Sequence, residues 1–320
     1  MLFDASFYHA LTIALIVAVT SISVGIGEGL TGAAAIQALI TQPKARAEIS
    51  RTFLLGMTLI ETAGVLGLVM AVTLLAGTDP QTLSPYSIYA NLGILCAVGI
   101  SGLVLGFVAS YPASAACHAV ARQPFFSPKI QIVMLLTQSI MQTPLIFAFM
   151  ISILIRMQAA LITDYSQALR LLGAGLSIGI GSIGPTIGLA LIARQTCKSM
   201  GINKYVYSTL FPFTIMSQAI VESPLIFALI TSLFLLFSKT TGILSITSGI
   251  AYLSAGLCMG LGTLMPAIGS GRTAAQACES IALRPEASTH LFRASLFAQV
   301  LLETGSIYAL LIAFFIIIIQ

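Results

Sequence analysis

The chain has 320 residues, of which 58% are hydrophobic and only 8% charged, with no tryptophan and a net charge of +4. Soluble globular domains carry about 25% charged residues, so this chain cannot cover a water-facing surface and reads as an integral, multi-pass membrane protein. The small positive balance contains no basic run of the kind a phosphate backbone needs, which excludes nucleic acid as a partner.

The N-terminal stretch MLFDASFYHALTIALIVAV is apolar but has no basic leader region and no clear cleavage site. It reads as the first membrane helix rather than a removable signal. A bilayer core needs about 20 apolar residues per helix. Charges, prolines and glycines divide the chain into eight such spans, at 8–40, 46–76, 86–121, 127–156, 166–199, 204–238, 244–282 and 287–319. Several are much longer than the hydrocarbon requires, so helices should extend past it on one side. The expected fold class is an all-α membrane protein.

The spans repeat. TQSIMQTPLIFAFM (137–150) has a near-twin in SQAIVESPLIFALI (217–230). Glu61, Gln142, Glu222 and Glu303 fall at equivalent places in a repeat with a period of about 80 residues. Four helical hairpins result: 1–80, 81–160 (with no membrane carboxylate), 161–241 and 242–320. Each unit holds two helices, so all four share one orientation. These are direct repeats, unlike the inverted repeats of many secondary transporters. Each hairpin turns at a polar loop, ITQPKARAE in the first, ARQPFFSPK in the second and ALRPEAS in the fourth. Pro43, Pro124 and Pro285 all stand at the same distance before the carboxylate position of their unit. The third unit offers ARQT at 193–196, but this lies too far ahead of Glu222. The counterpart at the common distance is Lys204, so the third turn is rewritten around Gly201 and Asn203. Of the 14 Lys and Arg, most lie on or near the turn side, leaving only Arg156, Arg170 and Lys239 near the other. This bias predicts cytoplasmic turns and external termini.

A carboxylate at a membrane helix centre costs about 2.5–3.5 kcal/mol. Three at equivalent positions, Glu61, Glu222 and Glu303, point to groups that load and release a cation. The alternative is hydrogen-bonding glue between helices. In the fourth hairpin Gln299, Glu303, Thr304 and Tyr308 fall on adjacent turns of one helix. The third has Gln218, Glu222 and Ser223, followed by Pro224, which frees a backbone carbonyl. The first has Glu61 and Thr62, with Met57 where the others have Gln. In the second, Gln142 is accompanied by Gln138 and Thr143. A Gln cannot release a proton, so this site is expected to be inactive while still packing, with an amide available to a neighbouring site.

On the partner helix, Glu28, Ala109, Leu189 and Ser270 stand at one common offset before the turn position, at the level of the carboxylates. Small residues around them allow close helix packing. Glu28 beside Glu61 would not ionise together with it, which favours a shared proton, unless Glu28 turns away and stays hydrated. Arg272 points to the face opposite Ser270, either snorkelling or pairing with a carboxyl such as Glu28 on a neighbouring hairpin. The cysteines (Cys96, Cys117, Cys197, Cys258, Cys278) form no C-x-x-C pair and read as small buried hydrophobes. His9, His118 and His290 make no metal pattern. The chain carries no P-loop for ATP.

The first unit, SISVGIGEGLTGAAAIQALITQPKARAEI…LIETAGVLGLV, resembles the c subunit (proteolipid) of F-type ATP synthases, and the fourth, MPAIGSGRTAAQACESIALRPEAS…AQVLLETGSIYALL, resembles it at least as closely. The second and third match in spacing and turn position with fewer glycines. The resemblance implies a rotor ring built from copies of the chain, surrounded by lipid, with a stator a subunit whose essential Arg exchanges ions with each carboxylate, and central-stalk subunits gripping the turns. It makes Glu61, Glu222 and Glu303 the ion carriers. It makes Gln42, Pro43, Gln123, Pro124, Arg284 and Pro285 the stalk-facing residues, and leaves the stalk contact of Asn203 and Lys204 open. It implies no cofactor, and a bacterial inner membrane. Sodium-binding members carry Gln on the first helix beside the carboxylate; here Glu28, Ala109, Leu189 or Ser270 stands there, and Leu189 offers no oxygen. Protons are therefore favoured as cargo, with sodium kept open by the E-S and E-T pairs. The competing readings are a proton-coupled small-solute transporter using membrane glutamates and a static proteolipid ring or pore.

Overall fold

The computed structural model of the protein describes residues 5–77, 84–238 and 246–319. Lys239 and the expected hairpin boundaries at 80/81 and 241/242 lie outside the described residues. Among those described, eight helices are long and apolar enough to cross a bilayer. They are α1 (Ala5–Thr41), α2 (Pro43–Ala76), α3 (Ser87–Arg122), α4 (Pro124–Ala159), α5 (Tyr165–Ile202), α6 (Lys204–Phe237), α7 (Ile246–Leu283) and α8 (Pro285–Ile319). All eight expected spans are present, and their ends fall close to the expected ones.

The turns follow from proline sterics. A residue before proline is pushed out of the helical region, and proline itself is well placed to start a new helix. Gln42 (φ −140°, ψ 78°), Gln123 (−132°, 65°) and Arg284 (−135°, 76°) break the first helix of their hairpins, and single 3₁₀ turns begin at Pro43, Pro124 and Pro285. The third turn lacks the proline but has the same shape: Asn203 sits at φ −139°, ψ 103°, and its side chain accepts from the Tyr205 N–H. A side-chain hydrogen bond of the Asx type replaces the steric constraint.

The hairpins pack side by side in two layers. The odd helices form one row, α1–α3–α5–α7, and the even helices a second, α2–α4–α6–α8. The odd row is close because it is paved with small residues. A methyl group added at Gly188 would lie 2.5 Å from the Ala267 carbonyl oxygen, and one added at Gly173 would lie 2.8 Å from that of Tyr252. Polar bonds staple the row: Ser101 Oγ lies 2.7 Å from Ser182 Oγ, Ser199 Oγ donates to the Cys278 carbonyl (3.0 Å), and Asn203 Nδ2 to that of Ala282 (3.3 Å). In the even row Gln131 Nε2 donates to Thr52 Oγ1 at 3.0 Å. Cys117, Cys197 and Cys278 are buried in the odd row as free thiols, while Cys96 and Cys258 are half-buried.

The two ends of the row are open. Gly25 and Gly29 of α1 are exposed, with nothing among the described residues within 4 Å of a built methyl group. Their repeat counterparts Gly106 and Ser110, Thr186 and Ala190, and Ala267 and Gly271 are all buried. At the far end of the row Met265 is 71% exposed on α7. This contrast sets a packing test. Gly188→Val should overpack the α5–α7 contact and cost about 1–3 kcal/mol, read as a lower unfolding temperature of the isolated chain in detergent. Gly29→Ala, facing open space, should leave that temperature unchanged.

Candidate functional site

The carboxylate row lies on the even helices: Glu61 on α2, Gln142 on α4, Glu222 on α6 and Glu303 on α8. Each of the last three meets a hydroxyl side chain from the hairpin before it. Thr62 Oγ1 donates to Gln142 Oε1 at 2.6 Å and Ser223 Oγ to Glu303 Oε2 at 2.7 Å, while the Thr143 side chain faces the Glu222 carboxyl. Successive helical residues point about 100° apart, so a side chain next to the carboxylate faces a different neighbour. The hydroxyl beside each carboxylate position thus serves the following hairpin rather than its own. Thr304, in the last hairpin, donates to the Leu301 carbonyl of its own helix (2.8 Å), and Tyr308 is 66% exposed. Neither is brought to the Glu303 carboxyl, although sequence spacing groups the three.

Burial follows the same logic. Gln142 and Glu303 are each only 7% exposed and Glu222 is half-buried, whereas Glu61, in the first of the described hairpins, is exposed.

Gln142 shows how such a site is closed. Its Nε2 donates to the Leu59 carbonyl at 2.9 Å, while Thr62 Oγ1 lies between that carbonyl (2.8 Å) and Gln142 Oε1. Two hairpins are clasped by one amide. One register on, Ser223 Oγ lies in the same way between the Ile220 carbonyl (2.7 Å) and Glu303 Oε2. The atom matching the amide nitrogen is Glu303 Oε1, which is buried with no partner among the described residues. A carboxylate oxygen and a carbonyl oxygen can only accept, so a proton on Oε1 would supply the missing donor.

The glutamines four positions before the carboxylates reach different partners. Gln138 Nε2 donates to the carbonyls of Ala109 (2.9 Å) and Gly56 (3.4 Å). Gln299 Nε2 donates to Ser217 Oγ (3.2 Å) and Ser295 Oγ (3.0 Å), leaving its Oε1 buried and unpartnered among the described residues. The same holds for Ser270 Oγ and both amide atoms of Gln218, and Leu189, on the paired helix of Gln218, is fully buried. Glu28 is half-buried within electrostatic reach of Glu61, and Arg272 is exposed while Ser270 is buried, on opposite faces of α7.

Three features escape sequence reasoning. The cross-hairpin hydroxyl is encoded in the 80-residue recurrence of Thr62, Thr143 and Ser223 but is ambiguous without packing. Pro144, the twin of Pro224, coincides with a break in α4 at Met141–Gln142. The turn tips carry exposed aromatics, Phe125 at 103% and Tyr205 at 83%, each directly after the first residue of its turn.

Four membrane hairpins in one direct-repeat row, with a carboxylate position recurring on every second helix, define a fused proteolipid of the ion-carrying type. The sequence profile of the ATP synthase C subunit family matches four times, at residues 11–74, 92–155, 172–235 and 253–316, and the chain belongs to that family as four tandem domains. The ATP synthase c subunit of Thermotoga petrophila is 44% identical over 68 residues, spanning 21% of this chain and 80% of the relative. Those of Mesomycoplasma hyopneumoniae (42% over 79 residues, 25% and 77%) and Dehalococcoides mccartyi (36% over 72 residues, 22% and 95%) are also similar.

The cross-hairpin geometry yields a sharp test. A hydroxyl that donates to a carboxylate favours its ionised form, whereas a carbodiimide attacks the protonated one. Ser223→Ala should speed labelling of Glu303, one repeat away, by about fivefold, the worth of one hydrogen bond. Labelling of the adjacent Glu222 should not change. Peptide mass spectrometry of the labelled chain reads both.

Proposed function

We propose that the chain is an ion-translocating rotor component of a rotary ATP synthase or ATPase, carrying protons on Glu61, Glu222 and Glu303, three carriers for four hairpins. The observation that carries the proton reading is the Gln142 clasp. Its N–H occupies the place where a protonated glutamate would put its O–H, against a carbonyl of the preceding hairpin. The unpartnered Oε1 of Glu303 is the same position without the hydrogen. A protonated carboxyl held this way has no unmet polar group and can travel through lipid. Release requires a competing charge, which the stator a subunit with its Arg would supply. Gln142 cannot release a proton, and its hairpin turns as a passive spacer.

The open ends of the row support assembly of copies into a ring. Gly25 and Gly29 are counterparts of the residues that bury Gly27 and Gly188 within the chain, and Gly269 is the counterpart of Gly188 at the other end. A neighbouring copy would set Gly269 against Gly25 and Gly29, and Thr304 beside Glu61. A contact of this head-to-tail kind closes into a ring when its rotation permits. The hairpins divide at 80/81, 160/161 and 241/242. The turns face the cytoplasm with the termini outside, in keeping with the Lys and Arg bias. Central-stalk subunits meet the exposed tips at Phe125 and Tyr205, together with Gln42, Pro43, Gln123, Pro124, Asn203, Lys204, Arg284 and Pro285. The membrane is a bacterial inner membrane.

Sodium is the second reading, favoured by three buried oxygens of the last hairpin with no partner among the described residues: Gln299 Oε1, Glu303 Oε1 and Ser270 Oγ. Hard cations seek such oxygen sets. Carbodiimide labelling of the purified complex separates the readings. The proton reading expects adducts at Glu222 and Glu303, none in the second hairpin, and no protection by sodium. Protection by millimolar sodium would establish sodium as the cargo, and inert Glu222 and Glu303 at every pH would refute ion carriage. In a coupled complex Gln142→Glu should raise the ions moved per ATP by a third, from three carriers per chain to four, measured as a change in the transport-to-hydrolysis ratio.

A further inference from the structure

Two buried prolines stand at the same repeat position, Pro144 in α4 and Pro224 in α6. The other two hairpins have Ala63 and Gly305 there. A proline in a helix interior has no N–H, so the carbonyl four positions earlier loses its backbone donor. Those carbonyls belong to Ile140 and Ile220. They are the repeat counterparts of the Leu59 carbonyl that accepts the Gln142 amide. The Ile220 carbonyl lies beside Ser223 Oγ (2.7 Å), which itself touches Glu303. Thr143 stands between Ile140 and Pro144 and touches Glu222.

The distribution matches the chemistry. Within the chain, Glu222 packs on the hairpin of Pro144 and Glu303 on that of Pro224. Gln142, with no proton to exchange, packs on the hairpin of Ala63, whose N–H remains available to Leu59. A buried proline forfeits a backbone hydrogen bond where no water can replace it. Both hairpins that bear one pack against a carboxylate, and the hairpin packed against the amide has none.

We propose that Pro144 and Pro224 are positioning residues for ion carriage: each frees a carbonyl of its own hairpin as the fixed acceptor for the cation on the carboxylate of the next, Ile140 for Glu222 and Ile220 for Glu303. The inference rests on ion carriage by these glutamates and holds for a proton or for sodium, since a free carbonyl oxygen receives either. Each proline therefore acts on a glutamate one repeat further along the chain and not on the residue beside it. Pro224 stands two positions after Glu222 yet serves Glu303.

The test is site-resolved carbodiimide labelling of the intact complex in membranes at one fixed pH. Pro224→Ala restores the N–H to the Ile220 carbonyl and should slow labelling of Glu303 by about fivefold, the worth of one hydrogen bond. Labelling of Glu222 should stay as in the parent. Pro144→Ala should slow Glu222 and leave Glu303 unchanged, which provides a second, independent variant. Unchanged labelling of Glu303 in Pro224→Ala, or a change at Glu222 in its place, overturns the proposal. Transport by a Glu222→Gln, Glu303→Gln double variant separates the two levels: full transport there refutes the ion-carrier reading itself, whereas lost transport with unaltered labelling in both proline variants refutes only the role of the prolines.

Discussion

A carboxyl in the middle of a bilayer has no water to answer it, and this constraint organises the protein. Every donor and acceptor around Gln142, Glu222 and Glu303 must come from the protein itself. A single hairpin has too little surface to provide them. The solution is to borrow from the neighbour: a hydroxyl, and at Gln142 a carbonyl as well, reach across from the preceding hairpin. This works only if adjacent hairpins are close and in register, which is the task of the glycines along the odd helices. A methyl group at Gly188 would strike the backbone of α7, and any displacement there would carry the even helices and their hydroxyls out of reach. Packing and ion chemistry are thus one design problem.

The same constraint explains why the four sites are unequal. Each such position lies between hairpins, so the four described hairpins enclose three of them and leave the halves of a fourth on the two outer hairpins. The enclosed positions are Gln142, Glu222 and Glu303; the open halves are Glu61 at one end and Thr304 at the other. Covalent fusion lets each interface carry its own residues, which separate identical subunits cannot do. Glu28, Ala109, Leu189 and Ser270 occupy one repeat position with four different chemistries. Leu189 is buried on the helix paired with that of Gln218, whose amide has no partner among the described residues, whereas Ser270 stands on the helix paired with that of Gln299, which makes the surroundings of Glu222 and Glu303 chemically distinct.

Much of this was legible in the sequence. Eight spans, four direct repeats and the carboxylate row follow from hydropathy and an 80-residue period, because a membrane leaves the chain few alternatives to helices of fixed length. The turns were legible where proline dictates them, and the third, rewritten without proline, proved to have the same shape through the Asn203 side chain. What the sequence did not reveal is direction. Thr304 and Ser223 look like companions of their adjacent glutamates, yet Ser223 bonds Glu303 and Thr304 bonds its own backbone. Spacing along a helix specifies a face; it does not say which neighbour that face will meet. The unpartnered Glu303 Oε1 is likewise a property of packing, invisible until two hairpins are set side by side.

Fusion also fixes a ratio. Separate subunits could mix live and inactive hairpins in any proportion, whereas on the proposed reading one chain with one Gln142 would set three carriers to four hairpins in every assembly. On the rotor reading, with three ATP per turn, ions moved per ATP equal the number of chains in the ring. Each ion contributes about 2.3 kcal/mol per 100 mV, so a ring of three chains gathers only about 7 kcal/mol for each ATP at that potential, which suits pumping, and larger rings approach synthesis. On that reading the passive hairpin would lower the gear without shrinking the ring. An amide achieves this more safely than an apolar residue would. It makes two hydrogen bonds to the preceding hairpin, with Thr62 and Leu59, so on that reading the inactive interface would hold together like a live one that never lets go.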